Sequence, residues 1–298
     1  MVEPAAAGLR EQLAEAELLV ETSTPGLPFR SAAFERIVRA VAGAVTSAGA
    51  GTAEPCLYAP PLMARADFER TGYHRSFPDL MGLVGTFDGG DREHRALLAQ
   101  AGRGETWTSG VADSGLVLCS AGCHALYPAL RGPVPAGGRR LEVEGTCFRH
   151  EPSADPARMQ SFRQHEFVYV GSAAGALAFR DEWVERGRAL LTGLGLSVST
   201  VDAADPFFGR AGRLLEAAQR EAGLKVELVA QIDGDAAIAS ANYHEDHFGA
   251  AFGLAQADGQ PAHTACIGFG LERIALALIR RHGPPHGWPR FVREELAL

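Results

Sequence analysis

Two stretches of this chain gather residue types that handle phosphate and carboxylate groups. Arg149-His150-Glu151 closes one strand-like segment, and Arg158 and Met159 sit in the Pro-containing loop after it. Phe162-Arg163-Gln164-His165-Glu166-Phe167 opens the return. A guanidinium fork matches a pair of anionic oxygens, and a nearby carboxylate can accept from an amine. A solvated, charged hairpin face explains the same residues equally well. The second stretch is Gly268-Phe269-Gly270-Leu271-Glu272-Arg273, at a strand-to-helix junction. Its glycines permit a tight turn and close approach of a ligand. It is not a dinucleotide fingerprint, because no strand–helix–strand unit follows. A helix start with Glu272 at the positive end of the dipole is the plainer alternative.

The five cysteines are Cys56, Cys119, Cys123, Cys147 and Cys266. Odd in number and widely scattered, they do not suggest a disulfide framework. Cys123, Glu166 and Cys266 each fall on or beside an expected central strand. Two thiolates and a carboxylate suit an open zinc site. For any one thiol alone, an inert buried side chain is the competing reading, and Cys119 competes with Cys123.

These residues need a scaffold. At 298 residues and 46% hydrophobic, the chain can bury a large core, and one domain over 1–298 is the simplest organisation. No apolar run is long enough to cross a bilayer. Met1-Val2-Glu3-Pro4 lacks the basic start of a secretory signal, so a cytoplasmic protein is expected. The net charge of -8 argues against broad binding of a phosphate backbone. Hydrophobic spacing predicts helices over Leu9–Val20 and Ser31–Val45, and later over Ala178–Leu194, Arg210–Gly223 and Leu271–Arg281. Strands are expected at Cys56–Pro61 and Leu116–Leu118. Two hairpins follow, Leu141–Arg149 with Phe162–Val170 and Lys225–Ile232 with Ala236–Asn242, and a last strand covers Ala265–Phe269. Long hairpins ahead of one C-terminal helix predict an α+β fold, an antiparallel sheet flanked by helices.

Taken together, the Arg-x-Glu strand, the Arg-bearing loop and the distant Gly-x-Gly-x-Glu-Arg resemble motifs 2 and 3 of class II aminoacyl-tRNA synthetases. A helix followed by a strand ending in Pro60-Pro61 resembles motif 1. Pro60–Met63, Phe68–Tyr73, Ser76–Pro78, Cys147–Glu151 and Arg163–Phe167 look like the seryl branch. Cys123, Glu166 and Cys266 resemble the metal ligands of the atypical zinc-dependent seryl enzymes of methanogens and their truncated relatives, the amino acid:[carrier protein] ligases. The resemblance covers roughly residues 55–281.

The resemblance implies roles. Arg149 would contact the α-phosphate and the substrate carboxylate, Glu151 the adenine amine, and Arg158 the outer phosphates, with Met159 beside it. Phe167 and Arg273 would sandwich the adenine, and Arg149 and Arg273 would be catalytic. Glu227, Ser240 and Asn242 would serve ATP, Mg²⁺ and ribose, although the acidic magnesium ligand expected before Ser240 is Ala237 or Ala239 here. Zn²⁺ on Cys123, Glu166 and Cys266 would hold the substrate amine, so Glu166 counts as substrate-binding too. About 50 residues of N-terminal helices precede motif 1, with no basic tRNA-gripping module, so the expected acceptor is an acidic phosphopantetheinylated carrier protein rather than tRNA. Arg210, Arg213 and Arg220 share one helical face within residues 205–223, where the family docks its carrier; a solvated helix face is the alternative. A homodimer, a small amino acid (glycine or alanine) and Mg²⁺ with ATP complete the expectation. The rival readings are a tRNA-charging enzyme and a non-catalytic synthetase paralogue.

Overall fold

The computed structural model describes residues 8–298, so Met1–Pro4, read above for an export signal, lie outside the described residues. The chain begins with α1 (Leu9–Glu15), β1 (Leu19–Val20), β2 (Phe29–Arg30), α2 (Ala32–Ala48), β3 (Leu57–Ala59) and β4 (Leu62–Ala64). Then come α3 (Arg65–Arg70), α4 (Tyr73–Ser76), β5 (Leu83–Phe87), α5 (Asp91–Gly102), β6 (Val111–Leu118) and α6 (Gly122–Leu126). The central hairpin is β7 (Arg139–Phe148) with β8 (Ser161–Gly171), followed by α7 (Ala173–Gly193), β9 (Ser199–Ala203) and α8 (Gly209–Glu221). The last part is β10 (Lys225–Gln231), β11 (Asp235–Tyr243), α9 (His247–Phe252), β12 (His263–Gly270), α10 (Leu271–His282) and α11 (Arg290–Glu295).

Among the described residues, seven strands form the main sheet in the order β3-β7-β8-β12-β11-β10-β9. All neighbours are antiparallel except β3 with β7. A smaller sheet, β4-β6-β5, stands beside it. This is the α+β architecture that the hairpin pattern predicts. Among the described residues no helix is long and apolar enough to cross a membrane.

Helices α2, α7 and α10 cover one face of the main sheet. Ser31 starts α2 by accepting from the Phe34 amide at 3.3 Å, and Phe34, Ile37, Val38, Val41 and Val45 repeat at helical spacing and are buried. In α7, Trp183 is fully buried and stacks on Phe167 with ring centroids 3.9 Å apart. The opposite face carries α6, α9 and a second apolar cluster built on Tyr127, Val143, Val168 and Phe248.

Several elements differ from their expected extent: β6 begins at Val111 rather than Leu116, and α7 at Ala173 rather than Ala178. The helix predicted over Leu9–Val20 stops at Glu15, because Glu17 takes φ 51° and turns the chain. Leu18 and Leu19 then point into the core, and Leu19–Val20 pair with Phe29–Arg30.

Candidate active site

The central strands place their side chains by a period of two. On β8, Phe162, Gln164 and Glu166 share one face, and Arg163, His165 and Phe167 share the other. Register carries the first face across the sheet. Glu166 pairs with Val143 on one side and with Gly268 on the other, Gly268 pairs with Ser240, and Ser240 pairs with Glu227. The next row is Val168, Cys266, Asn242 and Lys225. Most of the expected polar residues therefore line a single surface.

Cys123 comes from α6 and joins that surface from above. One ligand atom from each of Cys123, Glu166 and Cys266 lies within 4.8 Å of the others, and all three residues are buried. Cys119 instead points its thiol to the Ala121 carbonyl at 3.0 Å, so the structure brings Cys123, not Cys119, to the cluster. Glu166 Oε1 accepts from the amides of Gly122 at 2.6 Å and Cys123 at 3.3 Å, which fixes the carboxylate. A Cβ at Gly122 would stand 2.9 Å from that oxygen, so a larger residue would displace the carboxylate from this position.

Burial, with Cys266 next to it, lifts the Glu166 carboxyl to about 7. Hydrogen bonding between the two neighbouring thiols lowers the Cys266 pKa and raises that of Cys123. His244 Nε2 lies 3.6 Å from the Cys266 sulfur and Asn242 Nδ2 donates to it at 3.8 Å. A buried, closely spaced set of two sulfurs and one carboxylate, with one thiol already inclined to ionise, fits the donor preference of zinc.

Arg149 follows β7 directly. Its guanidinium lies 5.3 Å from the Phe162 ring centroid, and its Nε is buried with no hydrogen-bond partner among the described residues. Arg273, at the start of α10, donates to the carbonyls of Ala157 at 2.8 Å and Ala237 at 3.0 Å. Burial, and then the Arg149 charge, lower the Arg273 pKa. Two guanidinium groups held close together, one with an orphaned buried N–H, leave a place for an anion. Arg158 is exposed and reaches Glu151 at 3.4 Å, so both stand at the rim of this place.

Phe167 must be corrected. It has no exposed surface and lies against Trp183 on the helix-covered face, so it cannot stack on a nucleotide. The half-buried ring beside Arg149 is Phe162, five residues earlier and on the other face of the strand. Met159 has a buried side chain, which leaves its main chain as what it can offer a ligand. A register shift between Leu228 and Val229 makes Ala239 and Ala237 successive partners across β10 and β11. Ala239 is packed in the core and Ala237 is half-buried. Glu227, opposite Ser240, is the carboxylate near that position, and Lys225 holds it at 3.1 Å.

Other residues of the surface were not anticipated. Lys225 also meets Asp205 at 2.5 Å; burial opposes ionisation of Asp205, but Lys225 outweighs it and the pKa is lowered. Gln164 accepts from the Cys147 thiol at 3.2 Å. His244 and Asp205 lie in loops with no local motif, so only the fold brings them in. Gln164 and Phe162 were legible from the alternation of β8. Arg210, Arg213 and Arg220 lie on α8 and are exposed, as are Phe208, Leu214 and Leu215. Phe207 anchors this region by stacking on Phe77 at 5.3 Å.

No protein-family model matches the chain. A structure of M. kandleri SerRS in complex with A. aeolicus tRNASec superposes with a TM-score of 0.83 at 21% identity, over 99% of this chain and 62% of that one. Seryl-tRNA synthetase from Pyrococcus horikoshii, complexed with ATP, gives 0.72 at 12% identity. These likenesses establish the class II synthetase fold. In sequence, the type-2 serine--tRNA ligase of M. kandleri is 28% identical over 203 residues, 62% of this chain and 38% of that protein. Amino acid--[acyl-carrier-protein] ligase 2 of Bradyrhizobium diazoefficiens is 41% identical over 294 residues, covering 97% of this chain and 87% of the relative. Ligase 1 of the same organism is 40% identical over 289 residues, with coverage of 95% and 88%. The chain thus shares the synthetase fold with the seryl enzymes and belongs to the amino acid--[acyl-carrier-protein] ligases.

Proposed function

We propose that this ligase activates a small amino acid, with glycine or alanine favoured, as aminoacyl-AMP and passes it to the phosphopantetheine thiol of an acidic carrier protein. The observation that carries the reading is one sheet face holding both the Arg149–Arg273 pair and the Cys123–Glu166–Cys266 cluster. Cys123, Glu166 and Cys266 would hold zinc. Bound there, the ion supplies a Lewis-acid seat for the α-amino group.

Arg149 would meet the carboxylate that attacks the α-phosphorus, and its Nε–H, which has no partner among the described residues, is available to the charge that grows there. Arg273 is fixed by two main-chain carbonyls and needs no reorganisation as pyrophosphate leaves. Phe162 offers a stacking face for adenine, and Glu151 with Arg158 stands where the nucleotide's amine and outer phosphates would lie. Ser240, Asn242 and Glu227 would serve the ribose and the Mg²⁺ that accompanies ATP. In the second half-reaction the carrier's sulfur attacks the carbonyl carbon, the thiol loses its proton, and AMP leaves. The exposed Arg210, Arg213 and Arg220 on α8 provide a cationic surface for an acidic carrier. We take the chain as one catalytic unit, with residues 205–223 as the docking segment. The exposed Leu57 and Tyr58 on the edge strand β3 suit a homodimer through the motif 1 face.

ATP–pyrophosphate exchange across all amino acids, followed by transfer assays with holo-carrier and with tRNA, tests the reading. Exchange with a small amino acid and labelling of the carrier alone are expected. Labelling of tRNA would overturn the acceptor, and absence of exchange with every amino acid would overturn the activation step.

A further inference from the structure

A second group of metal-ligating side chains lies on the opposite face of β7 and β8. Cys56, just before β3, Glu142 on β7 and His165 on β8 each place a ligand atom within 4.8 Å of the other two. Glu142 is 6% exposed and His165 is 1% exposed, whereas Cys56 is half-buried and so open to solvent. Glu142 Oε1 is shared by the Thr46 hydroxyl at 2.7 Å and His165 Nε2 at 2.7 Å. His165 Nδ1 is buried without a hydrogen-bond partner among the described residues, and Glu144 Oε2 stands 3.5 Å from it.

We propose that Cys56, Glu142 and His165 form a second divalent-metal site, suited to zinc by its sulfur, nitrogen and oxygen donors. His165 would bind through Nε2. Its Nδ1–H would then turn toward Glu144, the carboxylate–histidine arrangement that fixes ring orientation at metal sites. The half-buried Cys56 side leaves the fourth position to solvent. The three ligands come from the entry to β3, from β7 and from β8. β3 has only three residues and is the parallel edge strand, so the ion would tie this short edge to the two long central strands. The site does not depend on the reading of the catalytic cluster, because neighbouring strand residues face opposite ways.

The test uses the full chain, stripped with a chelator, reloaded with Zn²⁺ and desalted, with metal measured by elemental analysis. Two zinc ions per chain are expected in the wild type. Cys56→Ser should retain one and keep full pyrophosphate exchange, while Cys266→Ala should retain one and lose exchange. Zinc should raise the melting temperature of Cys266→Ala and leave that of a Cys56→Ser/Cys266→Ala double variant unchanged. A matching melting temperature for metal-free Cys56→Ser and metal-free wild type checks that the substitution leaves the fold intact. Should Cys56→Ser bind as much zinc as the wild type, the second site does not exist, whatever happens at Cys266.

Discussion

The two faces of β8 use adjacent residues for opposite ends. Phe162, Gln164 and Glu166 look onto the surface with the Arg149–Arg273 pair, where a carboxylate is held by amides rather than by a cation. Arg163, His165 and Phe167 look toward the helices, where the Arg163 charge is matched. Arg163 donates to Glu272 at 2.7 Å and to Glu35 at 2.8 Å, and Arg30 adds a second cation to the nearly fully buried Glu272. Paired buried charges are a structural arrangement, since removing one partner leaves the other unsolvated. Incompletely satisfied donors occur on both faces among the described residues: Arg149 Nε beside the Arg273 guanidinium, and His165 Nδ1 at the second metal-ligating group. The lesson is that charge density alone does not locate a site. Unmet hydrogen-bonding capacity beside that charge narrows the search.

Substitutions on the two faces should therefore separate activity from stability. Cys266→Ala on the site face is expected to abolish both bound metal at that cluster and pyrophosphate exchange, with the fold intact by circular dichroism; exchange persisting without metal would rule out the role given to this residue. On the helix face, Phe167→Ala should cost about 3–5 kcal/mol of unfolding free energy in denaturant titrations, because it empties the stack on Trp183. Its KM for ATP should not change in the molecules that remain folded. Arg149→Ala should lower kcat/KM for exchange by roughly 10²–10³-fold with little change in melting temperature; a large loss of stability instead would make it a structural arginine. Phe162→Ala should raise KM for ATP by about 3–10-fold, the worth of one aromatic contact of ~0.5–1.5 kcal/mol. An unchanged KM would remove Phe162 from the nucleotide pocket. The smallest effect is expected from Arg213→Glu with Arg220→Glu on α8. Transfer to the carrier should slow by up to about tenfold at low salt and by less at high salt, with exchange unaffected. If exchange fell equally, docking would not be the explanation.

Alternation explains both the success and the error in reading this site. Glu166 and Phe167 were both expected at the site, yet consecutive strand residues cannot share a face. Once Glu166 joins Cys266, parity sends Phe167 to the core and brings Phe162 forward. The hairpins, the final strand and helix, and the α+β class were legible because each carries a long periodic pattern or a Gly-rich turn. The end of α1 was not, because its apolar spacing continues past Glu17, where a single left-handed residue breaks the helix. His244, Asp205 and Lys225 carried no local signal. Each is placed by pairing across the sheet or by a loop folding back.

By itself the sequence determined which residues are capable of chemistry: the arginines of the hairpin, the Gly-rich junction and two cysteines that suit a metal. Residue type and short-range spacing suffice for that, since both are properties of a local segment. Only the tertiary structure decided which of them meet. Cys123 rather than Cys119, and Phe162 rather than Phe167, were selected by strand register and by α6 resting on the sheet. The meeting of Cys56 with Glu142 and His165 also depends on β3 pairing with β7 across more than eighty residues of chain. Contacts of that separation are set by which apolar faces must be buried together, and no local pattern encodes them.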